Sequence, residues 1–153
     1  MANENTFAEL SKKIEIVSDV QFLPEQSSPK DRQFVFRYTI TIQNHSSQAV
    51  QLTDRHWLII DSEERIQEVQ GVGVVGKQPI IEPGLSFQYT SGAVIESDAG
   101  TMSGSFRFRM PKSDQESNLA DKSQPSNERL GNGSASFEKK VPAFALVAPQ
   151  SLH

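Results

Sequence analysis

The sequence predicts an all-β fold, an antiparallel β-sandwich of seven to eight strands. Three observations carry this reading. Apolar and polar residues alternate at period two through several separate segments, turn residues interrupt those segments at short intervals, and helical periodicity is confined to one stretch, TFAELSKK. Alternate side chains of a strand point to opposite faces, so each such segment buries one face and leaves the other in water. Short strands spaced this way mark a sandwich of immunoglobulin or fibronectin type III kind, with a small closed barrel as the alternative. The chain has no cysteine, which excludes the disulfide-centred antibody type.

Taken in order, residues 1–11 are expected to be a flexible tail and 12–150 a single domain. KIEIVSDVQF places Ile14, Ile16, Val20 and Phe22 on one face and stops at Pro24. The clearest strand is RQFVFRYTITIQ, with Phe34, Phe36, Tyr38, Ile40 and Ile42 turned the same way. The apolar segments AVQL and HWLIID follow the polar turn NHSSQ, and IQEVQ leads on into a run of glycines. A turn at Pro83 and Gly84 precedes SFQYT, with Phe87 and Tyr89 inward. GTMSGSFRFRM alternates again, with Met102, Gly104, Phe106, Phe108 and Met110 opposed to Ser103, Ser105, Arg107 and Arg109. A last strand region runs from Phe137 to Val147 and is interrupted at Pro142. Between these two strands, residues 112–136 are so rich in Ser, Asn, Gln, Lys and Glu that a flexible polar loop insertion is expected.

The net charge of −4 argues against capture of nucleic acid, which needs clustered positive charge. FRFRM does not change this, since its phenylalanines share the inward face and its arginines the other. No apolar run approaches the ~20 residues that span a bilayer, and the first residues lack a secretory h-region. The expected location is the cytoplasm, with no membrane insertion.

Several separated phrases occur in one order: RHW, GVVG, QP, PG, YTSG and GTM.GS, within VFRYTITIQNHSSQAVQLTDRHWLIID, VQGVGVVGKQPIIEPGLSFQYTSG and GTMSGSFRFRM. Over residues 12–111, and again at VPAFALVAP, the chain resembles the ApaG family. The resemblance implies a fibronectin type III-like sandwich and an association with cobalt and magnesium efflux. Related domains in eukaryotic F-box and DNA-polymerase-interacting proteins look like protein-interaction modules. The chain departs from the family pattern at Val72, where a polar residue is expected, and in the polar insertion after Met110.

Gly71, Gly73 and Gly76 spell the dinucleotide fingerprint G-x-G-x-x-G. That motif works by joining a strand to a helix whose N-terminus faces a pyrophosphate. Here KQPIIEPG follows, with prolines at 79 and 83, and no helix starts. A dinucleotide site is therefore rejected. The segment from Gly71 through Val72, Gly73, Val74, Val75 and Gly76 to Lys77 is instead expected to be a partner-binding loop, with Arg55, His56, Thr90 and Ser91 as its neighbouring surface. The second reading is a phosphate- or divalent-metal-responsive regulator, with the loop N–H groups and Lys77 as an anion nest or Asp54 and His56 as metal ligands. Whether the valines stand in a loop or a bulged strand stays open at this level. No G-x-S-x-G or H-E-x-x-H is present, so the expectation is a non-enzymatic protein without a cofactor. Its partners are expected to be other proteins or, through open sheet edges, a second copy.

Overall fold

A computed structural model describes residues 4–111 and 136–149. It begins with helix α1 (Glu4–Lys12), followed by strands β1 (Ile14–Phe22), β2 (Phe34–Asn44), β3 (Val50–Asp61), β4 (Ile66–Val72), β5 (Ile80–Ile81), β6 (Ser86–Ile95), β7 (Ala99–Arg109) and β8 (Ser136–Val147). One sheet has the order β1-β2-β6, the other β4-β3-β7-β8, and β5 pairs with β3. Every pairing is antiparallel. The two sheets stack as the predicted sandwich. The polar insertion expected at 112–136 lies outside the described residues except for Ser136, which opens β8.

The period-two pattern maps directly onto burial. Phe36, Tyr38, Ile40 and Ile42 of β2 face Trp57, Met102, Phe106, Phe108 and Leu146 in one core. Trp57 is its hub, meeting the rings of Tyr38, Phe106 and Phe144 at 5.7, 5.7 and 5.9 Å. All three contacts are edge-to-face, the arrangement that aromatic quadrupoles favour.

Two strands break parity. In β3 the buried residues are Val50 and Leu52, then Trp57, Ile59 and Asp61, so the inward set changes from even to odd numbers. The register against β7 shifts between Leu52 and Asp54, leaving Thr53 as the extra residue of a β-bulge. AVQL and HWLIID are therefore two halves of one strand. In β8 the register shifts opposite Met102–Gly104, between Val141 and Phe144. Pro142, which has no N–H to give the ladder, sits in this irregularity at the end of the sheet.

The tail expected over residues 1–11 is, from Glu4 onward, helix α1, and this corrects the sequence reading. Leu10 is buried and Phe7 stacks on Phe137 at 5.7 Å, while Lys139 Nζ donates to the Ser11 carbonyl at 2.9 Å. Two apolar residues three apart supply a single helical stripe, enough to dock one turn on β8.

The turn NHSSQ is organised by Asn44, which is buried. Its Nδ2 donates to the carbonyls of Gln48 and Ile81 at 2.8 and 2.9 Å, and its Oδ1 accepts from the Ser46 N–H and hydroxyl. One side chain thus closes the β2–β3 connection and ties it to β5.

Gly104 makes room for the tryptophan. A Cβ at this position would collide with the His56 carbonyl oxygen and lie 2.8 Å from Cε3 of Trp57. Gly104→Ala is expected to destabilise the fold by about 3 kcal/mol, the cost of overpacking against rigid neighbours. Chemical denaturation of both proteins measures it, and a loss under about 1 kcal/mol would show that the sheet yields to the added methyl group.

Candidate functional site

The glycine segment is a tight hairpin at one end of the sandwich. Gly71 and Val72 belong to β4, where they pair with Arg55 and Asp54. Beyond them Val74 and Lys77 exchange both backbone hydrogen bonds, at 2.8 and 2.9 Å. The two residues between, Val75 and Gly76, have φ of 43° and 78°. Positive φ at both central positions is the type I′ hairpin pattern, whose twist matches the flanking chain. Whether the segment is loop or strand is thus resolved as a strand end plus a two-residue turn.

Gly73 has a φ of 69°, and a Cβ there would collide with the Lys77 carbonyl oxygen. Glycine is needed at this position for conformation and for space. Gly76 needs only the conformation, since a Cβ would meet open space.

Two anchors hold the hairpin to β3. The carbonyl of the bulge residue Thr53 accepts from the Gly73 N–H at 2.7 Å and from Gln78 Nε2 at 3.0 Å. Arg55 lies across Gly71, where a Cβ would stand 2.8 Å from its Nη1. That nitrogen donates to the carbonyls of Gly73 and Val72 at 2.9 and 3.3 Å. The arginine clamps the turn through its oxygen atoms.

The predicted residues divide accordingly. Val74 is fully buried and belongs to the core, which removes it from any contact surface. Val72 and Val75 are 68% and 52% exposed, and Lys77 is exposed beside them. The N–H groups of Gly73, Val74 and Lys77 are donated within the protein, so most of the expected anion nest is already occupied.

Arg55 joins the hairpin as expected. His56 points to the outer face of its sheet, with Nε2 2.6 Å from Glu68 Oε2. The hydrogen bond from His56, and then that from Gln70, hold the Glu68 carboxyl below the usual carboxylate value. Asp54 shares this outer face, lining a shallow groove with Arg107 and Glu138. Among the described residues no group of three or more His, Cys, Asp or Glu is arranged to hold a metal ion. Ser105 donates to Glu138 at 2.6 Å, although its cross-strand neighbour is His56. Thr90 lies on the other sheet, hydrogen-bonded to Thr39 at 2.8 Å, and is not part of the hairpin surface. Ser91 borders a cleft between β4 and β6.

The family evidence agrees with this architecture. The ApaG domain model matches residues 24–110. The chain belongs to the ApaG family. It is 39% identical to Protein ApaG of Dechloromonas aromatica, over 92% of this chain and 94% of that one. It is also 39% identical to Protein ApaG of Pseudomonas aeruginosa, over 88% and 90%. A crystal structure of an ApaA protein from Bordetella pertussis superposes with a TM-score of 0.72 at 35% identity, covering 90% of this chain and 95% of that one. A second X-ray structure, from a structural-genomics programme, gives 0.73 at 33% identity, over 94% and 93%. The glycine hairpin falls inside the matched domain, and β8 follows it.

Sequence reasoning missed the cluster at the opposite end of the sandwich. Asp61 is buried and receives the backbone N–H groups of Glu63 and Arg65, both at 2.9 Å, and Arg65 Nη1 at 3.2 Å. Arg65 also reaches Glu63 and Glu96. Near it a cavity of about 760 Å³ opens between Phe22, Phe34 and Pro149. The inward parity of Asp61 in β3 was the available signal.

Two predictions concern these ends. Gly76→Ala should cost about 1–2 kcal/mol, the left-handed penalty alone, while Gly73→Ala should cost more because backbone must also move. Equal losses on denaturation would refute the close-approach argument. At the other end, burial pushes the Asp61 carboxyl up, but the Arg65 and Glu63 N–H groups and the Arg65 guanidinium outweigh it, leaving it below its usual value. A depressed folded value contributes stability that is present above the unfolded value and lost as pH falls through the folded one. Stability should therefore fall below about pH 4, and Asp61→Asn should flatten that decline. A thermal melt series from pH 6 to about pH 2.5 reads it.

Proposed function

We propose that this ApaG-family chain is a non-enzymatic protein-interaction module that presents its Gly71–Lys77 hairpin to a protein partner. The observation that carries the reading is Val75. A β-branched residue at φ 43° is strained, and this one is also half exposed at the tip of the turn. Glycine or asparagine would fit that position better, and burial contributes little there. A local rule broken on the surface, without compensation inside the protein, is best explained by something outside it.

The surroundings support the same reading. Val72 and Ile80 are 68% and 49% exposed, and both stand on strands that pair with the same edge of β3. With Val75 they make an apolar ridge whose backbone is fixed by Thr53 and Arg55. A surface already held in one conformation loses little entropy on binding. The non-enzymatic reading is supported by the polar side chains of the outer sheet face, where Ser105 is committed to Glu138 and His56 to Glu68. An effect on cobalt and magnesium efflux, which the resemblance implies, would then be exerted through a partner in the cytoplasm. Among the described residues no helix is long and apolar enough to cross a membrane.

Val75→Glu keeps the same backbone demand but places a charge on the ridge. It should remain folded and lose the proteins that the native chain captures from its own cell extract. Val75→Gly should be more stable by about 1 kcal/mol and should also capture less. Undiminished recovery by both variants would remove the hairpin from the contact surface.

A further inference from the structure

Strand β4 ends its sheet. It pairs with β3 on one side and, among the described residues, with no strand on the other. All seven of its residues, Ile66–Val72, keep one unbroken register against β3. An open strand edge is a template for another strand, and folds usually blunt theirs with charge, proline, bulges or a covering element. The other end strands carry such features. β8 contains Lys139, Lys140 and Pro142, its ladder is irregular near the proline, and α1 lies against it. β1 contains Glu15 and Asp19. On β6 the Val94 carbonyl already accepts from Gln67 Nε2 at 2.8 Å. β4 has no lysine or proline, and its single charge, Glu68, is held by His56.

The backbone direction of β4 follows from the hydrogen bonds at its two ends. The Asp61 N–H donates to the Arg65 carbonyl at 3.0 Å, and the Gly73 N–H donates to the Thr53 carbonyl at 2.7 Å. Residues of an antiparallel strand turn their backbone groups alternately to one neighbour and the other. Between Arg65 and Gly73, the residues bonded to β3 are therefore Gln67, Val69 and Gly71. The N–H and C=O groups of Ile66, Glu68, Gln70 and Val72 point away from the sheet. Arg55 touches the Val72 carbonyl from the side at 3.3 Å, and a carbonyl oxygen can accept a second hydrogen bond.

We infer that β4 pairs antiparallel with β4 of a second copy of this chain, about a two-fold axis at Val69. In this register Ile66 faces the partner subunit's Val72, and Glu68 faces the partner subunit's Gln70. These are the residues whose backbone groups point outward, so each such pair exchanges both hydrogen bonds. The Glu68 carboxylate accepts from its own Gln70 amide at 3.3 Å, and the same two groups meet across the axis. Ile66 and Val72, 65% and 68% exposed in the single chain, cover each other at both ends. Val69 faces the partner subunit's Val69 at a position without hydrogen bonds, where side chains approach most closely.

Other registers fail on backbone direction, charge or length. A slip of one residue sets outward groups against groups already bonded to β3. Moving the axis to Glu68 places two carboxylates face to face. Moving it to Gln70 brings Ile66 opposite the partner subunit's Val74, a residue that is buried and has left the strand for the turn. The pairing stops at Val72 and does not rest on the reading of Val75.

One strand pair is a small interface, so the dimer should be weak, with Kd of about 10–100 μM. Sedimentation velocity of the full chain from about 5 μM to about 500 μM should show monomer giving way to dimer. A monomer throughout overturns the inference. Val69→Glu sets two carboxylates at the axis and should weaken association at least about tenfold. Gln70→Pro should do the same while nearly keeping its melting temperature, because β3 does not use the Gln70 N–H. Undiminished association in both variants overturns the assignment to β4, and a collapse of the Gln70→Pro melting temperature overturns the backbone direction on which it rests. The chain has no cysteine, so single cysteines report the register. Under mild oxidation Val69→Cys should form an intermolecular disulfide at least about tenfold faster than Val72→Cys, whose two sulfurs lie on opposite sides of the axis and out of bonding reach. Equal rates overturn the two-fold register.

Discussion

The packing of Trp57 against Gly104 is the constraint on which the rest of this structure depends. The indole touches rings from both sheets, Tyr38 on β2 and Phe106 and Phe144 on β7 and β8. It therefore sets how the sheets approach, and it fits only because position 104 has no side chain. Its inward direction depends in turn on the bulge at Thr53, since without the extra residue the parity of Val50 and Leu52 would turn Trp57 to solvent. The same bulge turns the Thr53 carbonyl toward Gly73. Core geometry and hairpin placement thus share one device.

Much of this was legible in the sequence, for a physical reason. Strand periodicity is written by burial, so Phe34 to Ile42 and Met102 to Phe108 declare their faces without knowledge of the partner strand. The bulges are legible as a change of parity, but only once both halves are known to be one strand. Helix α1 is signalled by the periodicity of TFAELSKK, but with only Phe7 and Leu10 on its buried stripe the sequence does not show that it docks on the sandwich. The glycine run named the family while concealing its own geometry. Val74 and Val75 are neighbours of identical type, one fully buried and one at the tip, and no local pattern separates them.

The polar ends of the core aromatics were illegible for a different reason. Trp57, Tyr38 and Tyr89 occupy inward positions, where pattern reasoning counts them as apolar volume. Their polar ends matter only because β3 and β6 bring them together across the sandwich. Arg55 is expected beside the glycine loop, and its role there comes from the register that sets Gly71 opposite it. A glycine there is what lets the guanidinium lie flat and reach the hairpin carbonyls.

Strand β4 connects the hairpin with the cleft beside Trp57. Nearly all of its side chains are exposed, Gly71 being the partial exception, so burial does little to hold it as a strand. What fixes it is the ladder to β3, the His56–Glu68 contact and the hairpin that ends it. Elements with few buried contacts open more easily than a core, and β4 forms one wall of the cleft above Trp57. Arg55 touches the hairpin directly and also borders this cleft, so one guanidinium ties the end of β4 to β3 and shapes the wall beside Trp57.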